Sequence, residues 1–147
     1  MPFLQQLYAS IREQELALTN FSREEKEWFI QNQFQTQHQY YCSHYNTESF
    51  DIVYFCDEKA GRFFVDYWDH EIRVVDIALM PKFRNRGIAS YLLECLFNKA
   101  DTTGRKVSIH VERHNKAKQL YERLGFKQKS EADDIYLLME RAVEACP

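Results

Sequence analysis

Ile77-Ala78-Leu79-Met80-Pro81-Lys82-Phe83-Arg84-Asn85-Arg86-Gly87-Ile88-Ala89-Ser90 is the stretch on which the fold turns. It opens on the end of a run from Ile72 to Met80, rich in Val, Ile and Leu as a strand should be. The run is nearly all apolar towards its end, which predicts a strand covered there on both faces. Pro81 stops it, because proline has no N–H to give to a ladder. A short basic loop follows. From about Gly87 to Ala100 the apolar residues take helical spacing, with Leu92, Leu93, Leu96 and Ala100 on one face. A helix N-terminus carries free N–H groups and about half a positive charge, so it attracts anions. Gly87 removes a side chain where a ligand would press on the backbone, and Ala89 keeps the next approach narrow. Lys82, Arg84 and Arg86 add cations at the same spot, which suggests a phosphate site. The competing use is a solvated basic turn before an ordinary helix. Neither the Walker pattern nor the G-x-G-x-x-G fingerprint is present, so the phosphate carrier would be of another kind.

Working towards the N-terminus, Arg62 to Tyr67 reads as a strand, and Asp69-His70 turns it into the central run. Asp57 to Gly61 is expected to be a hairpin loop with Gly61 at positive φ, and Phe50 to Phe55 the strand before it. Residues 3 to 13 carry Phe3, Leu4, Leu7, Tyr8 and Ile11 at helical spacing. Ser22 followed by Glu25 fits a capping box, which starts a second helix running to about Gln39 or beyond. Towards the C-terminus, Val107 to Val111 is a strand and Asn115 to Leu124 a helix, with Ala117, Leu120, Tyr121 and Leu124 on one side. Gly125 closes that helix. Phe126 to Lys129 and Ile135 to Met139 form a last hairpin. The order α-α-β-β-β-α-β-α-β-β predicts a mixed α/β sheet, antiparallel at first, with at least one parallel pair and helices on its faces.

A chain of 147 residues suits one domain with one core, spanning residues 1–147. Apolar residues make up 45% and charged residues 28%, the balance of a soluble globular chain. The net charge of −3 argues against a general nucleic-acid binder, so any anion site must be local. No run of 18 apolar residues exists to span a membrane. The first residues lack the basic and apolar regions of a signal peptide, and the expected location is cytoplasmic. Cys42, Cys56, Cys95 and Cys146 show no C-x-x-C spacing and no zinc pattern, so no metal is expected. They are expected to be buried free thiols in a reducing cytosol.

Arg84-x-x-Gly87-x-Ala89 resembles the [R/Q]-x-x-G-x-[G/A] pyrophosphate loop of the GNAT superfamily of N-acetyltransferases. Asn115-Lys116-Ala117 with Leu120-Tyr121-Glu122-Arg123-Leu124-Gly125-Phe126, about 30 residues later, resembles that family's second coenzyme A motif. Ile77 to Pro81 is similar to its central strand. The likeness covers roughly residues 50 to 140. It implies the acyl-CoA N-acyltransferase fold: a mostly antiparallel sheet with one splayed parallel pair and helices on both faces. It implies acetyl-CoA as co-substrate, held by backbone groups of Arg84, Arg86, Gly87, Ile88, Ala89 and Ser90. The pantetheine arm would pair with the open strand end at Ile77, Ala78 and Leu79. Asn115 would hydrogen-bond near the pantetheine, or cap the following helix, or both.

The resemblance also implies a role for Tyr121. By residue pattern alone it is a core aromatic; by the family it is the general acid that protonates the leaving thiolate. The thiol pKa is about 8.5 against about 10 for tyrosine, so Tyr121 holds a proton to offer at pH 7. Glu112, Asp76 and Glu71 are candidate bases on strands near the expected cleft, with Glu112 the first choice as the catalytic one; each can equally be a structural or surface charge. His110, Glu112 and His114 share a face if their strand continues, and a histidine there could relay a proton. The family's acceptor pocket would draw on the first two helices and the last hairpin. Arg12, Glu13 and Glu15 end the first helix and Tyr40, Tyr41 and Tyr45 follow the second. Arg12, Glu15 and Tyr41 are therefore the candidate substrate contacts. Arg12 with a glutamate would suit an amino-acid-like or peptide-terminal amine, and solvated helix-end charges are the plainer use.

Family members usually begin with a strand before the first helix, and this chain begins almost inside that helix. Either the strand after the second helix is left as a sheet edge, or another chain covers it, as in a homodimer. The expected function is acetyl transfer from acetyl-CoA to a primary amine. A non-catalytic acyl-CoA-binding module is the second reading, against which the presence of Tyr121 argues. A toxin-like acetylation of aminoacyl-tRNA is the third, and the acidic balance argues against it.

Overall fold

A computed structural model of the chain describes residues 2–131 and 134–144. The elements, in order, are α1 (Pro2–Ala17), α2 (Arg23–His44), β1 (Phe50–Phe55), β2 (Glu58–Tyr67), β3 (Glu71–Leu79), a 3-10 turn (Pro81–Phe83), α3 (Ile88–Thr102), β4 (Lys106–Glu112), α4 (Ala117–Arg123), β5 (Lys127–Gln128) and β6 (Tyr136–Arg141). This is the order expected from the sequence. They build a six-stranded sheet in the order β1-β2-β3-β4-β6-β5. Only β3 and β4 pair in parallel; the other neighbours are antiparallel.

Two apolar layers flank the sheet. On one side α3 and α4 bury Leu93, Leu96, Phe97, Ala100 and Tyr121 against Ile72, Val74, Val107, Ile109 and Val111. On the other, α1 and α2 bury Leu4, Tyr8, Leu16, Ile30 and Phe34 against Phe64, with Phe50, Ile52 and Val75 beside them. Ser22 caps α2: its hydroxyl accepts from the Glu25 N–H at 3.1 Å, the Ser half of the expected box. The helix runs past Gln39 to His44, so Tyr40 and Tyr41 lie within it and Tyr45 is its C-cap.

Three local expectations are corrected. Gly61 does not turn the hairpin. The turn is made by Cys56 and Asp57, at φ 49° and 66°, and Gly61 lies inside β2. What requires glycine there is proximity, because a Cβ would stand 2.1 Å from the Ala78 carbonyl oxygen. The apolar end of β3 is not covered on both faces. Ile72, Arg73 and Val74 are buried, while Val75 to Leu79 are only half-buried, because the neighbouring strand departs there. The cysteines Cys42, Cys56 and Cys95 are exposed rather than buried. They occupy the outer face of α2, the hairpin turn and the outer face of α3, positions that no apolar layer covers. Cys146 lies outside the described residues.

Within one chain β1 is one of the two outer strands of the sheet, with β5 at the other edge, and the end of β1 exposes Tyr54 and Phe55.

Candidate active site

The parallel pair is short. β3 and β4 are in register from Glu71↔Lys106 to Val74↔Ile109 and no further. β4 continues to Glu112, but paired with β6. Beyond Val74 and Ile109 the two strands diverge, and Ile77, Ala78 and Leu79 keep ladder partners on the β2 side only. The cause is a bulge. Phe64 pairs with Asp76 and Val65 with Val74, so Val75 is skipped. A bulge bends its strand and adds twist, which turns β3 away from β4. It also reverses the side-chain alternation. Ile72 and Val74 face α3; after the extra residue it is Ile77 that packs on that side, and Asp76 faces α2.

The gap ends at the basic loop. Asn85 and Gly87 both take left-handed φ, at 61° and 78°, which swings the chain from the 3-10 turn into α3. Gly87 is the N-cap of α3 and has no side chain with which to satisfy the first N–H groups of the helix. These donors therefore remain for a ligand. A Cβ on Gly87 would meet nothing within 4 Å, so the space before the helix is open. Ile88, Ala89 and Ser90 form the half-buried first turn. The cations are tethered around this space. Arg84 donates to the Leu79 carbonyl at 3.0 Å and reaches Ser10 at 3.5 Å. Arg86 lies over Phe55 and Phe83, and Lys82 pairs with Glu58 at 2.7 Å. Their charge adds to that of the helix end, and Arg84 fixes the strand end to the loop.

Tyr121 enters from α4. Its ring is 5% exposed and packs edge-on to Phe126 with centroids 5.8 Å apart. Its hydroxyl has no hydrogen-bond partner among the described residues. Burial, then the negative charge of Asp76, push its pKa above the ordinary tyrosine value. Tyr121 lies on the α3 and α4 side of the sheet and Asp76 on the α2 side. Asn115 sits in the turn before α4, and its side-chain oxygen accepts from the Ala117 N–H at 2.9 Å. The helix itself starts two residues later than the sequence suggests, with Lys116 at its cap position.

A family model described as an acetyltransferase (GNAT) domain matches residues 48–128, more than half of the chain. The chain belongs to the GNAT acetyltransferase family. No curated protein matches it. Among solved structures, a PaiA N-acetyltransferase of Thermoplasma acidophilum, crystallised with coenzyme A, superposes with a TM-score of 0.68 at 17% identity, covering 96% of this chain and 91% of that one. A protein of Pyrococcus horikoshii gives 0.66 at 18% identity, covering 96% and 90%. An acetyltransferase of Thermus thermophilus gives 0.63 at 16%, covering 97% and 90%. At these identities the likeness is one of fold, and it extends over the whole sheet and both helical layers.

The candidate bases of this GNAT domain are separated by their partners. Glu71 is committed: Ser108 and Arg73 donate to it and Lys106 pairs with it. Burial would raise its pKa, but these hydrogen bonds and charges outweigh burial and hold it below the usual carboxylate range. Glu112 is exposed at the end of β4. His110 shares its face, but the strand stops at Glu112 and His114 lies in the following turn, so the three do not form one row. Burial and the Arg73 guanidinium lower the His110 pKa against the opposing pull of Glu71. Arg73 lies 3.2 Å from His110 Nδ1. A guanidinium can only donate, so Nδ1 accepts and the neutral ring carries its proton on Nε2.

The expected acceptor residues divide in the same way. Arg12 and Glu15 form an ion pair at 3.1 Å along α1, and Arg12 also donates to the Tyr8 hydroxyl at 3.2 Å. The pair is open to solvent, with the Glu15 side chain 64% exposed. Tyr41, by contrast, reaches from α2 to Asp76, its hydroxyl 3.5 Å from Oδ2. Burial and the Asp76 charge raise its pKa, so it is neutral there and donates. Behind them is a residue that the sequence reading missed. Arg62 of β2 is 2% exposed and pairs closely with Asp76, while Gln37 accepts from it at 3.0 Å. The available signal was a lone arginine opening the run Arg62-Phe63-Phe64-Val65, since a buried cation in a strand requires a buried anion.

Proposed function

We propose that this domain transfers an acetyl group from acetyl-CoA to a primary amine by direct attack, without a covalent enzyme intermediate. In this reading the pyrophosphate lies on the free N–H groups at the start of α3, around Arg84, Arg86, Gly87, Ile88, Ala89 and Ser90. The pantetheine lies along the open side of Ile77, Ala78 and Leu79. The thioester then falls in the gap between β3 and β4. The observation that supports the reading is an uncapped helix N-terminus following an unpaired strand edge, in a chain whose Tyr121 hydroxyl has no hydrogen-bond partner among the described residues.

The amine arrives as an ammonium. At pH 7 a lysine-like amine is neutral about once in 2,500, a cost of about 4.6 kcal/mol, so loss of its first proton must be assisted. The neutral nitrogen attacks the thioester carbon, the C–S bond breaks, and nitrogen loses a second proton as the amide forms. The sulfur takes a proton from Tyr121, and Tyr121 is reprotonated from the proton released by nitrogen, so one proton leaves to solvent per turnover. The raised pKa of Tyr121 makes complete transfer to the thiolate uphill. Its contribution is then a hydrogen bond that strengthens as sulfur gains charge. Glu112, being exposed, would act on the amine only through water.

A panel of primary amines, followed by thiol release from acetyl-CoA, tests the reading. Acetylated product with at least one amine is expected. Tight binding of acetyl-CoA with no turnover on any amine would favour the non-catalytic acyl-CoA-binding module instead.

A further inference from the structure

We infer that Asp76, backed by Arg62 and flanked by Tyr41, is the subsite that receives the acceptor amine in its ammonium form; the inference rests on the acetyl-transfer reading above. Both contacts of the Asp76 carboxylate fall on one oxygen. Arg62 and the Tyr41 hydroxyl each meet Oδ2, and Oδ1 has no partner among the described residues. Arg62 also holds the carboxylate by one limb only. Its NH2 group bonds Asp76 and Gln37, while its buried Nε has no hydrogen-bond partner. A carboxylate intended only to neutralise a buried arginine would be expected to close the two-limbed fork. Here it is turned, and its second oxygen is left for another donor.

Position supports the same role. The bulge at Val75 carries Asp76 onto the α2 face one residue before the strand stretch assigned to pantetheine. The Asp76 side chain is 20% exposed while Arg62 behind it is 2% exposed, so a ligand reaches the anion and not the cation. The charged and titratable groups facing it are Arg62 from β2, Tyr41 from α2 and, across the gap, Tyr121 from α4. Arg62 pairs with Asp76 from its buried side. Tyr41 fixes its rotamer. Tyr121 stands on the opposite face, where the leaving sulfur would be. An ammonium on Oδ1 would be held beside the thioester, and it gives up one proton, through water to solvent, before its nitrogen attacks the carbonyl carbon. Selection is for a cationic primary amine over an uncharged one.

The test is the pH dependence of KM for the best alkyl amine of the panel, with a pKa near the lysine value of about 10.4, measured well below that pKa. If the ammonium is the bound form, wild-type KM for total amine stays flat as pH falls. If the neutral amine binds, KM rises tenfold per pH unit. In Asp76→Asn, KM at pH 7 is expected to rise at least about tenfold and to acquire the steep slope. KM for acetyl-CoA should change less than about twofold. Because Asp76→Asn leaves Arg62 without its counter-ion, the double variant Arg62→Gln/Asp76→Asn, which removes both charges, is measured beside it and should show the same slope. Glu94→Gln, on the exposed face of α3, should keep the flat profile. A steep wild-type slope, or a flat slope in a folded variant lacking the Asp76 charge, overturns the assignment while leaving acetyl transfer intact. Absence of thiol release with every amine of the panel would overturn both.

Discussion

Alanine at Gly61 and alanine at Gly87 should fail in opposite ways, and the geometry says by how much. At Gly61 the added Cβ would lie 2.1 Å from the Ala78 carbonyl oxygen and 2.9 Å from the Leu79 Cα. Both obstacles are backbone atoms of the neighbouring strand, so no rotamer can relieve the contact. β2 and β3 must separate by about an ångström where β3 borders the gap. Overpacking of this kind costs about 1–3 kcal/mol, and a backbone obstacle places it at the upper end. For a chain of this size that is a fall in Tm of about 6–12 °C. At Gly87 the Cβ would meet nothing, and the penalty is only that of a φ of 78° for an L-residue. That is about 1–2 kcal/mol, or about 2–8 °C.

Ligand affinity should rank the other way. The Gly87 Cβ projects into the space where the α3 N–H groups await an anion, so Gly87→Ala should weaken coenzyme A at least about tenfold, equivalent to about 1.4 kcal/mol. Gly61→Ala, measured at a temperature where it is folded, should bind within a few-fold of wild type. Thermal unfolding by circular dichroism and calorimetric titration with coenzyme A supply both axes. A Gly61→Ala protein as stable as wild type would refute the described β2–β3 approach. A Gly87→Ala protein with unchanged affinity would refute the loop as the pyrophosphate site.

Other substitutions probe single links. Tyr121→Phe keeps the ring packed on Phe126 and removes only the hydroxyl; kcat should fall about 10²-fold, with acetyl-CoA binding and Tm little changed. In wild type, any loss of kcat from ionisation of Tyr121 should appear only above about pH 10, because its pKa is raised. Asp101, on α3, has its pKa lowered by hydrogen bonds from Arg141 and a backbone N–H, against the effect of burial. A depressed folded pKa means that this stabilisation is complete above the unfolded value of about 3.9 and is lost as pH falls through the folded one. Denaturant titrations of Asp101→Asn and wild type should thus differ by a constant amount above about pH 5 and converge in stronger acid. Ser22→Ala removes the hydroxyl that accepts from Glu25 at the start of α2 and should lower stability by about 1 kcal/mol, read as a Tm shift of about 2–4 °C.

The element order was legible because each element is long enough for its period to appear. Ser22 and Gly87 marked helix starts through local chemistry that packing did not override. Features that depend on a neighbouring strand were not legible. Gly61 looked like a turn residue because glycine in a loop is the commoner case; only the approach of Ala78 explains it. The turn fell to Cys56 and Asp57, of which only Asp57 belongs to the residue types that tolerate positive φ. Arg12 and Glu15, expected as substrate contacts, also pair along one helix face, a use that their spacing of three allows. Arg62 escaped notice because a sequence shows an arginine in a strand without showing what buries it.

The bulge at Val75 accounts for the largest gap between pattern and site. Strict alternation from Ile72 and Val74 would set Asp76 on the α3 side, inside an apolar layer that offers it no cation. An unpaired carboxylate there would be costly to keep charged. One skipped residue moves it to the α2 side, where Arg62 and Tyr41 receive it. The same residue bends β3 away from β4 and opens the gap. Opening the strands and placing an anion beside the opening are therefore one event in the backbone. Restoring regular pairing at Val75 would be expected to close the cleft and bury Asp76 on the wrong face together. Tyr121 is held by the α4 layer and Asp76 by the α2 layer, so in the proposed reaction acid and anion would act from opposite faces of the sheet.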